Sequence, residues 1–564
     1  MSSTYDFVIV GGGPSGAAIA ISLARSAKRP KVLLLEAGGT NDDKEMRVNG
    51  RRWLVSQSQG LNWGYKTAPQ EYCGGRELDY SRGLGLGGSS AINFSIFNVG
   101  ASGDYDEWVR VVGDDAFGWA HMKRRYRTLE SFDPTPPAGV PEKYAKSKPE
   151  DHGNSGLLKT GYTAEVEADL VPLLEAYEKA GRPLNPDHNS GNPLGVALTI
   201  NSASKGFRST AADLLVEIPE NLTILTKSLV QRIILEGEKA VGVESNGKKH
   251  LATKEVIISA GALNTPKLLM HSGIGPRAQL EKFNIPVVQD IPCIGQGLRD
   301  HFFVPIAHIR KTGDPDRVAF YSNEQAKAVA LEQWKKDGTG PWAKYGCQAT
   351  LGWFKLPNLS SLPEFEDLPT EEKNHLNRPT IPHYAIGSHF PLHWFIPNFP
   401  PEAMNYMTLA VFLYNAQSRG EVTLQSSDPD APPRIDPKFL STPFDRRAVI
   451  EALRDALRFV NSEAYVKDNV APIAVPAGDS DEDYLEYWRA SVGSSWHMTG
   501  TVKMGKPGDD DAAVDSNFRL MGFDGLRIAD MSIVPVIASC HVQSVAYLTG
   551  LTCAEKLIAE YDLA

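Results

Sequence analysis

Cysteine is scarce in this chain: five residues in 564, at Cys73, Cys293, Cys347, Cys540 and Cys553, with no C-x-x-C pair. An odd, scattered set is neither a disulfide framework nor a zinc motif, and it points to reduced thiols in an intracellular, cytoplasmic setting. Long apolar runs are missing too; nothing approaches the roughly 18 residues of a membrane span. The first strand-like run begins at Tyr5, which leaves no room for a signal peptide. The last residues, Tyr561-Asp562-Leu563-Ala564, form no peroxisomal or retention tripeptide. Positive charge is not in excess: 58 Lys and Arg against 68 Asp and Glu give a net charge of -10, so neither nucleic acid nor a membrane surface is an expected partner. His389 and His393 stand four apart like metal ligands, but Pro391 breaks the helix such a pair needs, and no metal is expected. What remains is 42% hydrophobic and 22% charged, in a chain too long for one core, so two or more lobes are expected.

The most informative stretch is near the start. Tyr5 to Val10 is an apolar run of strand type, Ala17 to Ala24 reads as a helix with Pro14 suited to its first turn, and Lys31 to Leu35 reads as a second buried strand. Between them Gly11, Gly13 and Gly16 form G-x-G-x-x-G, and Glu36-Ala37 follows the second strand, with Glu36 20 positions past Gly16. Each part has a task in dinucleotide binding. Gly11 permits the tight turn, Gly13 lets a pyrophosphate reach the backbone, and Gly16 lets helix and strand pack closely. The helix N-terminus, which opens with Pro14, offers unpaired N–H groups from Ser15 onward and partial positive charge, and Glu36 can accept from ribose hydroxyls. The fingerprint leaves NAD and FAD both open, while Glu36 argues against NADP.

Further along, residues 38–80 read as an extended loop with short helices, in which the aromatic stretch Trp63-Gly64-Tyr65 either covers a ligand or packs on its own loop. Arg82-Gly83-Leu84-Gly85-Leu86-Gly87-Gly88-Ser89 is costly in chain entropy and suits close approach to a flat or anionic ligand. Ser89 and Ser90 are expected to cap a helix carrying Asn93 and Phe94 inward. Alternation from Leu222 to Val243 predicts a strand meander, and Lys254 to Ser259 predicts a buried strand whose turn at Ala260-Gly261 opens a helix. Met407 to Leu413 and Glu421 to Leu424 alternate like antiparallel strands. An amphipathic helix is expected from His541 to Ile558.

These stretches together resemble the glucose–methanol–choline (GMC) family of FAD-dependent oxidoreductases. The likeness is carried by the opening βαβ unit, Gly87-Gly88-Ser89-Ser90-Ala91-Ile92-Asn93, Gly103-Asp104-Tyr105-Asp106-Glu107-Trp108, the run from Gly261-Ala262-Leu263-Asn264 to Gly273-Ile274-Gly275, and Gly295-Gln296-Gly297-Leu298-Arg299-Asp300-His301, with Gly297 where the family usually has Asn. Ser418-Arg419-Gly420-Glu421-Val422, Trp496-His497-Met498-Thr499-Gly500-Thr501 and the region of His541 extend it almost to the end of the chain. The nearest pattern is that of aryl-alcohol and furfuryl-alcohol oxidases.

The resemblance implies an α/β (α+β overall) fold: a Rossmann-like FAD-binding domain interleaved with a substrate domain built on an antiparallel sheet. The expected FAD-binding segments are 1–150, 206–300 and 491–564, and the expected substrate segments are 151–205 and 301–490. It implies His497 as the general base that takes the hydroxyl proton while hydride passes to flavin N5, and His541 as the second histidine that holds the hydroxyl. It implies that Val542 and Gln543 offer N–H groups to the flavin, that Val230 borders the adenine, that Ala260 and Gly261 lie near the FAD, and that Asp530 and Met531 approach its pyrophosphate and ribityl chain. Asn93 falls where some members carry a histidine bonded to the flavin, which implies non-covalent FAD. Phe94, Trp394, Phe395 and Trp496 are the candidate substrate contacts, and an aromatic surround favours an aryl or unsaturated primary alcohol over a polyol. Oxygen or a quinone would accept the electrons; the alternative is a non-redox lyase or cyclase with structural FAD. Oligomeric state is not legible.

Overall fold

The structure is a computed structural model that describes residues 3–51, 60–345, 349–396 and 405–564. Phe7 to Val10 and Val32 to Leu35 are apolar at every position and buried on both faces, the pattern of parallel strands covered by helices. They form β1 (Ser3–Val10) and β2 (Val32–Leu35), joined by α1 (Pro14–Ala24) with Pro14 at its start. β1 lies between β2 and the strand Lys248–Ile258, parallel to both, and Leu222–Leu225 extends the sheet beyond β2. Lys239–Ser245 and Val230–Glu236 add an antiparallel pair on the far side, and Leu526–Ile528 pairs in parallel with Val256, Ile257 and Ile258. The strand expected from Lys254 is thus the second half of an eleven-residue strand. Its first half is partly exposed and charged (Lys248, Lys249), which hides it from a reading based on apolar runs.

A second sheet is wholly antiparallel: Asn469–Ala474, Phe302–Arg310, Tyr406–Leu413, Tyr384–Ser388, Thr350–Phe354 and Gly195–Leu198, in that order. Gly493–Ser494 also pairs with Phe302 and Phe303, so the polypeptide enters the region of His497 from this sheet. The chain therefore crosses between the two sheets several times, and each sheet is assembled from distant stretches.

Two expectations need correction. The stretch after Gly87 is a single 3-10 turn, Gly88–Ala91, without a serine cap, and it ends before Asn93. Ser90 Oγ instead donates to Gly87 O at 2.6 Å, because left-handed backbone at Gly87 and Gly88 leaves no room for an extended helical entry. The C-terminal helix Gln543–Glu560 (called α3 below) is not amphipathic: every residue from Gln543 to Gly550 is buried, since the helix runs into the core between α1 and its neighbours. Its contact with α1 is close. A Cβ on Gly550 would lie 2.4 Å from Ser15 O, and Ser15 Oγ donates to Ala546 O at 2.6 Å.

Gly16 is equally constrained, with a Cβ there falling 2.0 Å from Gly11 O. Gly16→Ala is therefore expected to push α1 off the glycine turn, lowering the unfolding free energy by about 1–3 kcal/mol. Chemical denaturation checks the first effect, and the flavin content of purified protein checks whether the cradle survives.

Candidate active site

The glycine turn between β1 and α1 is tied to its surroundings by one carboxylate. Glu36 Oε2 accepts from Gly12 N–H at 2.8 Å, and Oε1 accepts from Gly38 N–H at 2.8 Å and Gly85 N–H at 2.9 Å. The turn after β1, the end of β2 and the glycine-rich segment of residues 82–88 thereby converge on one buried side chain. Gly88 faces Gly13 so closely that a Cβ on it would lie 2.8 Å from Gly13 Cα. These backbones form one end of a continuous cavity.

That cavity is lined by Gly11, Gly13, Pro14, Ser15, Glu36, Ala37, Arg82, Gly88, Ser89, Asn93, Phe94 and Val230. Ala260, Gly261, Asp530, Met531, Trp496, His497, His541, Val542 and Gln543 line it as well. Three of the expected residues stand outside it. Gly16 lies behind it in the contact just described. Gly87 is left-handed at φ 93° and donates its N–H to Gly12 O at 2.9 Å, so it shapes the cradle from behind. Phe395 packs on Phe303, with ring centroids 5.9 Å apart, and is one ring removed from the cavity wall. The side chains of Trp394 and of His393 lie outside the described residues. His389 is engaged elsewhere, against Ser388 Oγ at 2.7 Å and Asp169 at 3.2 Å.

Several lining groups are already committed to the protein. Ser15 turns its hydroxyl to α3, so only its backbone faces the cavity. Asp530 accepts from Ser532 N–H at 2.7 Å, Gly261 N–H at 2.8 Å and Thr265 Oγ1 at 2.6 Å. It thus caps α2 (Gly261–His271), and burial pushes its carboxyl up. Asn93 donates to Gln543 Oε1 and accepts from Ser95 N–H at 2.9 Å. Trp63 lines the cavity while stacking on Tyr65 at 5.7 Å.

At the other end, residues 299–303 and 493–499 run side by side. Ser495 N–H donates to His301 O at 2.9 Å, and Arg299 and Thr499 exchange hydrogen bonds at 3.0 Å. Asp300 accepts from His497 N–H at 2.6 Å and from Ser494 Oγ at 2.5 Å. Between them Trp496 is left-handed at φ 57°, a strained state for an aromatic residue that the surroundings must hold. Arg82 does so by donating to Trp496 O at 2.6 Å, and Asp79 by accepting from Trp496 Nε1 at 3.0 Å. His541 is placed from a different direction: its N–H donates to Asn98 Oδ1 at 3.0 Å, and Ser544 Oγ donates to Asn98 O at 2.6 Å.

The two imidazoles meet with centroids 5.0 Å apart and planes at 77°. Burial pushes His541 down to about 3. It holds His497 well below the ordinary histidine range, with His541, His301 and Arg82 adding to the effect. Both rings are therefore neutral at physiological pH and able to accept a proton. Around them stand Phe94, Phe303, Phe390, Phe412 and Trp496, with Phe303 and Phe412 as a cross-strand pair at 5.0 Å and Phe412 at 6.0 Å from His541. Phe303, Phe390, Phe412, Asp300, Asn98 and His301 were not singled out from the sequence. The strand alternation over 407–413 put Phe412 on a definite face, but only the fold shows that this face is the cavity wall.

Models of the two GMC oxidoreductase domains match residues 5–303 and 416–550. The chain belongs to the GMC oxidoreductase family. It is 33% identical to the dehydrogenase pkfF of Emericella nidulans, across 99% of this chain and 93% of that one. It is 30% identical to patulin synthase of Penicillium expansum (99% and 92%) and 32% identical to pyranose dehydrogenase 3 of Leucoagaricus meleagris (99% and 93%). Among solved structures, an Aspergillus oryzae formate oxidase variant studied for FAD modification superposes with a TM-score of 0.89 at 27% identity, over 100% of both chains. A fungal aryl-alcohol oxidase shares the fold, with a TM-score of 0.86 at 24% identity over 100% of both chains.

This GMC oxidoreductase is thus an FAD-dependent enzyme of the oxidase and dehydrogenase class, and its residues fit that cofactor. The Gly13–Gly88 approach leaves a cradle that any side chain would fill, the N-terminus of α1 opens into it, and Glu36 stands at its rim. Val542 and Gln543, at the N-terminus of α3, open into the same cavity beside His541. Among the described residues no helix is long and apolar enough to cross a membrane.

Glu36→Ala would strand three buried N–H groups at the cradle. The expected loss is about 3 kcal/mol of stability or more, counted at about 1 kcal/mol or more for each orphaned donor. Denaturation of the variant with and without added FAD measures it.

Proposed function

We propose that this GMC oxidoreductase oxidises a primary alcohol, with an aromatic or unsaturated group beside the carbinol, to the aldehyde, and that oxygen or a quinone takes the electrons. The observation that carries the reading is the pair of neutral imidazoles, 5.0 Å apart, set among five aromatic side chains in a cavity continuous with the dinucleotide cradle. FAD supplies the two-electron acceptor when bound. His497 takes the hydroxyl proton, and His541 holds the hydroxyl toward it. Desolvation favours this division of labour, because a neutral buried imidazole is both an acceptor and a hydrogen-bond partner. Phe94, Phe303, Phe390, Phe412 and Trp496 offer stacking surface and few hydrogen bonds, which suits a flat apolar substrate better than the sugar named in the pyranose dehydrogenases.

FAD is held without a covalent bond in this reading, since Asn93 carries an amide committed to Gln543 and Ser95 and has no nucleophile to offer. Acid precipitation should release all of the flavin into the supernatant; flavin remaining on the pellet would contradict this.

Anaerobic mixing with benzylic and allylic alcohols should bleach the flavin, and His497→Ala should slow the bleaching by about 10²–10⁴-fold, the range of general base catalysis. Turnover without bleaching would instead identify a lyase or cyclase, and indifference to His497→Ala would identify a binding protein.

The acid limb of the pH profile belongs to Asp300. Burial pushes its carboxyl up to about 6, while His497 stays neutral far below that. Above about pH 6 the carboxylate accepts from both His497 N–H and Ser494 Oγ; below it the added proton removes an acceptor site. Bleaching rates should therefore rise through about pH 6, and Asp300→Asn should erase that rise while lowering the plateau.

A further inference from the structure

His301 has no place in the two-histidine arrangement described above, does not line the cavity, and is completely buried. Its Nδ1 nevertheless lies 3.0 Å from His497 Nδ1, with the two rings perpendicular at 89°. Two nitrogens at that distance share one proton. A neutral imidazole carries one N–H, so the shared proton fixes both tautomers at once. If the proton sits on His301, His497 carries its own proton on Nε2 and presents a donor to the cavity. If it sits on His497, the Nε2 that remains to His497 is bare.

The base role of His497 distinguishes the two cases. Among the described residues His301 Nε2 has no hydrogen-bond partner, and the Tyr414 ring packs against the imidazole with centroids 4.2 Å apart, so the Nδ1 contact is the polar anchor of this ring. A ring that takes a substrate proton needs a bare Nε2 toward the cavity, which puts the shared proton on His497 Nδ1 and makes His301 Nδ1 the acceptor.

We propose that His301 is the positioning residue that sets the tautomer of His497: it accepts the His497 Nδ1 proton and so leaves His497 Nε2 as the bare nitrogen facing the cavity. The proposal rests on the reading that His497 takes the substrate proton, and it supplies the reason that this ring is ready to do so. When Nε2 gains a proton, the Nδ1–H bond to His301 becomes charge-assisted and strengthens, so the same contact supports the cation as it forms. Asp300, the preceding residue, fixes the backbone of His497; His301 fixes its ring. One short turn thereby sets both the place and the protonation pattern of the histidine.

The test uses FAD-loaded protein labelled with ¹⁵N-histidine. Proton–nitrogen correlation at neutral pH should show His497 protonated on Nδ1 and bare on Nε2, with no substrate present. His301→Leu removes the acceptor. It should abolish this single tautomer and slow anaerobic flavin bleaching by about 10²-fold, with the alcohol concentration at half-saturation changed less than two-fold. His301→Asn restores a carbonyl oxygen near the position of Nδ1 and should recover most of the rate and the Nδ1-protonated signal. A wild-type His497 with a bare Nδ1 would overturn the proposal, as would equal behaviour of the Leu and Asn variants. If instead His497→Ala bleaches normally, the underlying assignment of the base fails, while the tautomer measurement still reports on the contact by itself.

Discussion

An imidazolium is costly away from water, and the corner where His301, His497 and His541 meet is buried. All three rings are pushed far down by burial, and a charge on His541 would push His301 and His497 down further. The nearby cation, Arg82, acts in the same direction. The corner therefore stores proton-accepting capacity that stays available across the physiological range. The cost is desolvation, which the aromatic wall imposes by excluding water and which the fold offsets through ordinary apolar burial elsewhere.

Holding three neutral rings in one dry corner requires that each be aimed by something other than charge. Hydrogen bonds from the backbone do this. Asp300 grips His497 N–H, Asn98 grips His541 N–H, and the strained backbone at Trp496 is pinned from both sides by Arg82 and Asp79. The cradle at the opposite end follows the same logic. There Glu36 collects three N–H groups so that glycine backbone, with no side chains to pack, keeps a fixed shape. Each end of the cavity has a buried carboxylate that accepts backbone N–H groups, Glu36 at the cradle and Asp300 at His497. The two differ in what they leave exposed: bare backbone in one case, bare imidazole in the other.

The cradle was legible in the sequence because its determinants are local. β1, α1 and β2 need only an apolar run, a glycine spacing and an acid, all within 36 residues. His497 and His541 were legible through the motifs around them. The aromatic wall and His301 were not, because their meaning depends on pairing between distant strands. Phe303 faces the chamber only since it pairs with Phe412, more than a hundred residues away, and His301 reaches His497 only since residues 299–303 and 493–499 run alongside each other. The Ser89–Phe94 segment was misread for a different reason. Serines after glycine look like a helix start, but Gly87 and Gly88 both take left-handed backbone, which sends the chain out of the helix after one turn.

The interleaved course of the chain explains why no contiguous segment can carry this site. The wall comes from a sheet whose strands begin at residue 195 and end at 494, and the cradle comes from strands that begin at residue 3 and end at 528. Residues 493–499 leave the antiparallel sheet and residues 526–528 enter the sheet of β1, so the 26 residues between them bridge the two. Gly500 N–H donates to Met531 O at 3.1 Å and Val502 N–H to Ser532 O at 2.9 Å, which locks the exit from the histidine corner directly onto the segment that caps α2. A displacement of either sheet would be felt at both ends of the cavity together. Distance between cradle and histidines is thus a property of the backbone ladder, independent of any side chain that touches a ligand, and substrate preference can change through the aromatic wall while that distance stays fixed.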